Sequence, residues 1–414
     1  MNYKIKILPF VESIIILILM IQTILQNIIP QLQYIDELFA VVLLIKMFGI
    51  LFTKKVDKKI FKELSLMFAL LLVGITNTLM FKIQTIPSAI ITDIGNLFKA
   101  YIGFYAYYII YKDRSREYKD ALIHYLTIFC KLIIIPGFFL SIINLFMDIG
   151  MHTDYVYGIR SFHYIFLRVG NLYSFCVLSI IILTLELRKN SNKNNIICIF
   201  FTLFLMIATL RTRAFVYAIL YVIIYNFQIK KKKVKVKPLY IIIFVVIAAY
   251  VAFPKISFYF LENSNRARSA LLRYGLVIMK EYFPFGTGFA TYGTFAAKKY
   301  YSLLYYKYGM NNLYGLSVEN GDFLMDNYWP AIFAEFGIIG TIILAFILLN
   351  ILKRCLNNDA ICKSAALFGM LSMLIASIAT GSFFGVTSTI TMAIIAIAAT
   401  FAEEGKGEKN NEKS

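Results

Sequence analysis

The chain has 414 residues, of which 60% are hydrophobic, 16% aromatic and only 16% charged, with a mean hydropathy of +0.72. A water-soluble domain carries about a quarter of its residues as charges, so the composition excludes an ordinary soluble globular domain and requires a bilayer as solvent. The net charge of +19 would in a soluble protein point to nucleic acid. Here the basic residues fall mostly in alternate loops, the positive-inside pattern that reads topology, and no basic-aromatic module or zinc spacing supports nucleic-acid binding.

Taken in chain order, apolar windows predict spans at 8–29, 35–52, 64–81, 89–111, 121–146, 164–187, 195–210, 214–229, 238–253, 329–352, 364–382 and 385–401. Apolar runs of about 18 residues or more recur along most of the chain, and each of these can cross about 30 Å of hydrocarbon at 1.5 Å per residue. The predicted fold is an all-α integral membrane protein with about 12 transmembrane helices. The basic lead with Lys4 and Lys6 precedes an apolar run to Ile29 that is too long for a signal-peptide core and lacks an Ala-x-Ala site, so it reads as an uncleaved first span. With the N-terminus inside, five basic clusters fall on the cytoplasmic side: Lys54 to Lys59, Lys112 to Arg116, Arg188-Lys189, Lys230 to Lys233, and Lys353-Arg354. Both termini are then cytoplasmic. Cys130, Cys176, Cys198, Cys355 and Cys362 sit in spans or cytoplasmic loops and imply no disulfide framework.

The organisation predicted is spans one to nine over 1–253, a large extracytoplasmic loop over 254–328, spans ten to twelve over 329–402, and a polar cytoplasmic tail over 403–414. Connections in helical bundles usually run about 2 to 8 residues, so the long loop is a candidate carrier of function. No internal repeat relates the halves, unlike transporters built from duplicated bundles.

Within the loop, Asn263-Ser264-Asn265 precedes a segment running from Arg266 to Lys280 and stopping at Pro284 and Gly286, the pattern of a capped helix. Arg266, Arg273 and Lys280 recur every seven residues, drift only about 20° per step and form one cationic stripe. Such a stripe suits an anionic head group or a solvated membrane-surface face. Arg211 and Arg213 flank Thr212 in a hairpin so short that both guanidiniums lie at the outer boundary, where positive charge opposes the topology bias. A diphosphate is a bidentate partner that would account for them, head-group snorkelling the alternative. Arg168 lies inside the outer end of its span, where an ionised group needs a cavity or partner, and Arg160 precedes it in the adjoining loop.

For a base, Asp326 is the favoured candidate, because Asp322-Phe-Leu-Met-Asp326-Asn327-Tyr-Trp329-Pro330 stands where the loop returns to the membrane. Its plain structural reading is a helix cap. His163, and Asp36 with Glu37 at the head of the second span, are secondary candidates, although acids at helix starts are ordinary. Lys46, Asp93, Lys99 and Lys131 lie within spans and need interior partners. No metal site is predicted: Asp322 and Asp326 alone offer too few oxygens. The tyrosines from Tyr300 to Tyr314 read mostly as an interface belt.

This order of features resembles the bacterial O-antigen polymerase and O-antigen ligase family, the Wzy-type integral membrane glycosyltransferases. Thr212-Arg213-Ala214 looks like the family's Ser-Arg-Gly/Ala-like element that opens a span after a short hairpin. Arg266 through Phe283-Pro284-Phe285-Gly286-Thr287-Gly288 is similar to an Arg-rich helix running into a Pro-Leu-Phe-Gly-x-Gly-like turn, and Arg168-Val169-Gly170-Asn171 loosely resembles the Arg-x-x-Gly element of a middle span. Ligase-like members carry a His-Asn pair where this chain has Asp326-Asn327, a departure that leans toward a polymerase. The resemblance covers the second half by motif and the first by topology.

The resemblance implies a polymerase of surface polysaccharide (O-antigen, capsule or exopolysaccharide) in the bacterial cytoplasmic membrane. It would transfer a glycan from a polyprenyl-diphosphate carrier to another lipid-linked repeat unit on the outer face, without cofactor or metal. Arg168, Arg211, Arg213, Arg266 and Arg273 would bind the diphosphate and Asp326 would deprotonate the acceptor. The implied partners are polyprenyl-diphosphate-linked oligosaccharides, the bilayer, and a chain-length regulator and flippase of the same pathway. The alternatives are an O-antigen ligase-like glycosyltransferase and a lipid-linked oligosaccharide flippase or transporter.

Overall fold

The computed structural model describes residues 6–53, 57–156, 158–189, 193–229, 266–356 and 359–401. The predicted span 238–253, the start of the long loop with its proposed cap at Asn263 to Asn265, the Lys230 to Lys233 run and the tail 403–414 lie outside the described residues.

Each remaining span window falls on a helix. Helices α1 (Ile7–Met20) and α2 (Gln22–Ile28) are bent by 70° where they meet. They are followed by α3 (Ile35–Thr53), α4 (Lys58–Phe81), α5 (Pro87–Lys112) and α6 (Arg116–Phe146). Next come α7 (Val169–Glu186), α8 (Lys193–Ala208) and α9 (Thr212–Ile224). The loop contributes α10 (Ala267–Glu281) and the short α11 (Phe295–Lys299) and α12 (Leu303–Lys307). The last three helices are α13 (Tyr328–Leu356), α14 (Ala360–Ser377) and α15 (Ser388–Thr400). Polar caps set several starts: Asp57 accepts from Lys59 N, Ser115 from Tyr118 N and Asp359 from Cys362 N. Among the described residues five helices are long and apolar enough to cross a membrane, or six if the bent α1–α2 pair is one span.

The bundle is built around α5 and α15. Every residue of α15 is buried, and α5 packs Tyr101, Phe104, Tyr105, Tyr108 and Tyr111 into the core. Outward faces carry Phe48, Phe52, Phe61, Phe68, Phe139 and Phe200, all exposed; in water this would be an aggregation surface, and against lipid it is the expected solvent contact. Buried ion pairs cross the bundle. Arg354 forks onto Glu63 at 2.8 and 3.0 Å, and Lys99 meets Asp36 at 2.7 Å. Lys131 bonds Asn195 at 2.6 Å, while Lys46 faces outward.

Two features depart from the sequence reading. A small antiparallel hairpin, β1 (His152–Val156) with β2 (Ile159–Phe162), interrupts the all-helical pattern; it pairs His152 with Phe162 and Tyr155 with Arg160. The long loop, as far as it is described, is a folded layer with its own core, in which Ala270, Leu271 and Ile278 of α10 pack with Tyr292, Leu304, Tyr305, Leu316 and Leu324. Tyr305 is therefore structural, its hydroxyl oxygen accepting from Gly293 N at 2.8 Å, while Tyr306 and Tyr314 stay exposed.

That layer is spliced into a break in α13. Gly337 adopts φ 59° and ψ −158°, a conformation open to glycine, and releases carbonyls that the loop takes up. Thr287 N donates to Ala334 O and Gly288 N to Glu335 O, both at 2.9 Å. Beyond them Ala290 N donates to the buried Asp93 carboxyl at 2.7 Å, and Thr291 N and Tyr292 N donate to the buried Glu335 carboxyl at 2.8 and 3.0 Å. The Phe283-to-Gly288 motif is thus an anchoring element.

Candidate active site

At the end of the bundle that carries the loop, a cavity of about 680 Å³ opens between α2, the start of α7, α9, α14 and the connection 378–387. Its size suits a small-molecule site, typically about 300 to 1,000 Å³. The connection that lines it is ten residues long because α14 ends at Ser377 and α15 begins at Ser388; the windows 364–382 and 385–401 had left two. Val177 on its wall is eight residues into α7, so the cavity descends about 12 Å into the bundle.

Two of the predicted arginines, Arg168 and Arg213, line it. Arg168 precedes α7 as its N-cap residue. Its turn is shaped by Tyr164 and Leu167, both at positive φ. Arg213 is held over the Tyr173 ring at 5.4 Å and donates to Thr380 Oγ1 at 3.0 Å. Among the described residues neither forms an ion pair with a carboxylate. Two guanidiniums without a salt-bridged carboxylate, facing a partly enclosed space, suit an anion with several oxygens.

Asp326 does not itself line the cavity. Its neighbour Met325 lines the cavity and accepts from Gly381 N at 3.1 Å. Its carboxylate receives Arg268 Nη2 at 2.9 Å and Nε at 3.2 Å, with each side chain 24% exposed. Burial pushes this carboxyl above its ordinary value, against the opposing pull of Arg268, Arg213 and Lys298. A half-buried carboxylate of raised basicity beside cations is suited to take a proton from a hydroxyl.

The other candidates lie elsewhere. Arg211 pairs with Asp154 at 3.1 Å, a partner on the hairpin that its local sequence did not reveal. Arg160 donates to the Asn144 carbonyl at 3.3 Å. His163 is buried, with Nδ1 2.7 Å from the Tyr164 carbonyl oxygen. Asp36 is buried between Lys99 and Gln22, with Glu37 3.7 Å from the same lysine. On α10, Arg273 is exposed and stacks on Tyr274, and Arg266 is half-buried at the N-cap; neither lines the cavity.

Arg268 is the residue the stripe argument missed. It stands at i−3, i−7 and i−10 from the buried Leu271, Gly275 and Ile278, so the signal was a cation on the apolar face of the helix. Gln26, Asn171, Ser372 and Thr380 also line the cavity without having been singled out.

A predominantly helical bundle with apolar outward faces defines a multi-pass membrane protein, here with a cavity lined by two arginines. Residues 196–345 match the family model of O-antigen ligase, Wzy_C. The match spans 150 of the 414 residues and supports a likeness to the O-antigen polymerase and ligase family. No curated protein matches the chain.

Proposed function

We propose that the protein is a polymerase of surface polysaccharide. It moves a growing glycan from its polyprenyl diphosphate to the terminal hydroxyl of another lipid-linked repeat unit, at the outer face of a bacterial cytoplasmic membrane. In this reading the chain has about twelve spans, both termini are cytoplasmic, and the loop of α10 to α12 covers the outer end. A chain-length regulator and a flippase of the same pathway are its partners. The observation that carries the proposal is a cavity lined by Arg168 and Arg213, neither ion-paired with a carboxylate among the described residues, beside Asp326, a carboxylate of raised basicity on which Arg213 acts.

The chemistry needs charge stabilisation and one proton transfer. Arg168 and Arg213 hold the diphosphate and gain strength as negative charge collects on it while the anomeric C–O bond breaks. Asp326 takes the acceptor hydroxyl proton as the new glycosidic bond forms, and polyprenyl diphosphate leaves. Arg268 orients Asp326 through its fork.

The ligase reading is favoured by the description of the matching family model and differs only in the acceptor. The test is the size profile of surface and lipid-linked glycan after deletion of the gene, complemented with wild type or Arg213→Lys. Single repeat units at the surface without a ladder, restored by wild type alone, support a polymerase. Full-length polymer left on its lipid carrier identifies a ligase, and repeat units trapped at the cytoplasmic face identify a flippase.

A further inference from the structure

Thr380, in the connection between α14 and α15, lines the cavity with its hydroxyl committed on both sides. It donates its proton to the Ala376 carbonyl at 2.8 Å and accepts from Arg213 Nη1 at 3.0 Å. The first bond is the ordinary back-bond of a threonine at a helix end. Because a hydroxyl has one proton, that bond leaves only lone-pair density to face the guanidinium. The same guanidinium lies over the Tyr173 ring at 5.4 Å. A neutral hydroxyl and an aromatic ring fix where an arginine points without pairing it to a carboxylate. A side chain held in this way loses less rotamer freedom when a ligand arrives than one that is free.

The neighbours of Thr380 reach the segment that carries Asp326. Gly381 N donates to Met325 O at 3.1 Å, and Trp329 Nε1 donates to Ser377 Oγ at 3.0 Å. The stretch 377–381 is therefore fastened to α9 through Arg213, and to the return of the loop on both sides of Asp326.

We propose that Thr380 is the positioning residue of Arg213: its hydroxyl oxygen aims the guanidinium for the diphosphate, and the stretch around it keeps that cation in register with Asp326. The proposal rests on the glycosyl-transfer reading above. Thr380 touches no reacting atom and acts through Arg213. Valine keeps the shape of threonine and removes the acceptor, whereas serine keeps the acceptor and loses only a methyl group.

The test is a double-mutant cycle on equilibrium binding of undecaprenyl diphosphate to the full-length protein in lipid nanodiscs. Thr380→Val is expected to weaken binding by about tenfold, the worth of one hydrogen bond to a charged group, and Thr380→Ser to stay within about twofold of wild type. Arg213→Ala is expected to weaken binding at least as much as Thr380→Val. The variant carrying both Arg213→Ala and Thr380→Val should bind no more weakly than Arg213→Ala alone, because a residue that acts through the arginine has nothing left to position. Wild-type affinity in Thr380→Val, a serine variant as weak as the valine one, or additive losses in the double variant would each overturn the positioning role. Arg213→Ala would still report the diphosphate site in those cases. Wild-type protein that does not bind the probe, or Arg213→Ala that binds it as tightly as wild type, would overturn the diphosphate reading and the positioning role with it. Thr380→Ala also lacks the acceptor and carries the same expectation if Thr380→Val fails to fold.

Discussion

Asp326 and Arg268 form the pair whose chemistry is most exposed to measurement. The carboxyl must be ionised to accept a proton, so turnover is expected to fall as pH drops through its pKa. Burial raises that value above the ordinary 3.8, and the acid limb of the pH–rate profile should lie correspondingly higher. Arg268→Gln removes a charge that lowers the carboxyl's pKa, and should move the limb to still higher pH while the neutral-pH rate falls. Asp326→Asn, nearly isosteric, should lower turnover by about 10²- to 10⁴-fold, the usual worth of a general base. Unchanged turnover in that variant would return Asp326 to a purely structural tie for α10. At Arg213, lysine keeps the charge and loses the planar fork; a loss of about 10²-fold or more is expected, comparable to removing one stabilising donor elsewhere, with the protein still inserted and monodisperse.

At the scale of elements, the splice between the loop and α13 depends on glycine. A Cβ at Gly337 would run into the Phe285 carbonyl, and its positive φ adds strain. Gly337→Ala is therefore expected to cost about 1 to 3 kcal/mol and to lower the melting midpoint in detergent. Gly49→Ala is the control: nothing lies within 4 Å of its Cβ, so the substitution should be neutral or slightly stabilising through helix propensity. Equal midpoints for the two variants would mean that the splice contributes little. The Glu63–Arg354 fork ties α4 to α13, with the two side chains 3% and 5% exposed. Glu63→Gln leaves a buried guanidinium without its counter-charge and should destabilise by about 3 to 5 kcal/mol, read as loss of folded protein on mild heating.

For the whole molecule, the proposed orientation puts Asn320 and Lys62 on opposite sides of the membrane. Both are exposed, and the native cysteines are all buried, so an introduced thiol should dominate labelling. A membrane-impermeant maleimide is expected to modify Asn320→Cys in intact cells and Lys62→Cys only after permeabilisation. The reverse pattern would invert the topology and place the cavity on the cytoplasmic side, where an outer-face polymerase cannot work.

Hydropathy is a one-dimensional quantity, and what it determines was already present in the chain: membrane insertion, the helical windows, an amphipathic helix beginning near Arg266, and two arginines, at 168 and 213, placed where charge needs a reason. The 378–387 connection was invisible because its apolar and small residues read as continuations of two helices. Which cations lack a salt-bridged carboxylate was decided only by tertiary structure, since the partner of Arg211 lies 57 residues away on a hairpin and the partner of Asp36 lies 63 residues away on α5. The same holds for Phe283 to Gly288, which reads in the sequence as the turn that ends a helix and in the fold fills a break in α13. Charge in a bilayer is governed by whether a partner is within reach, and reach is a property of packing that the order of residues along one strand of chain does not contain.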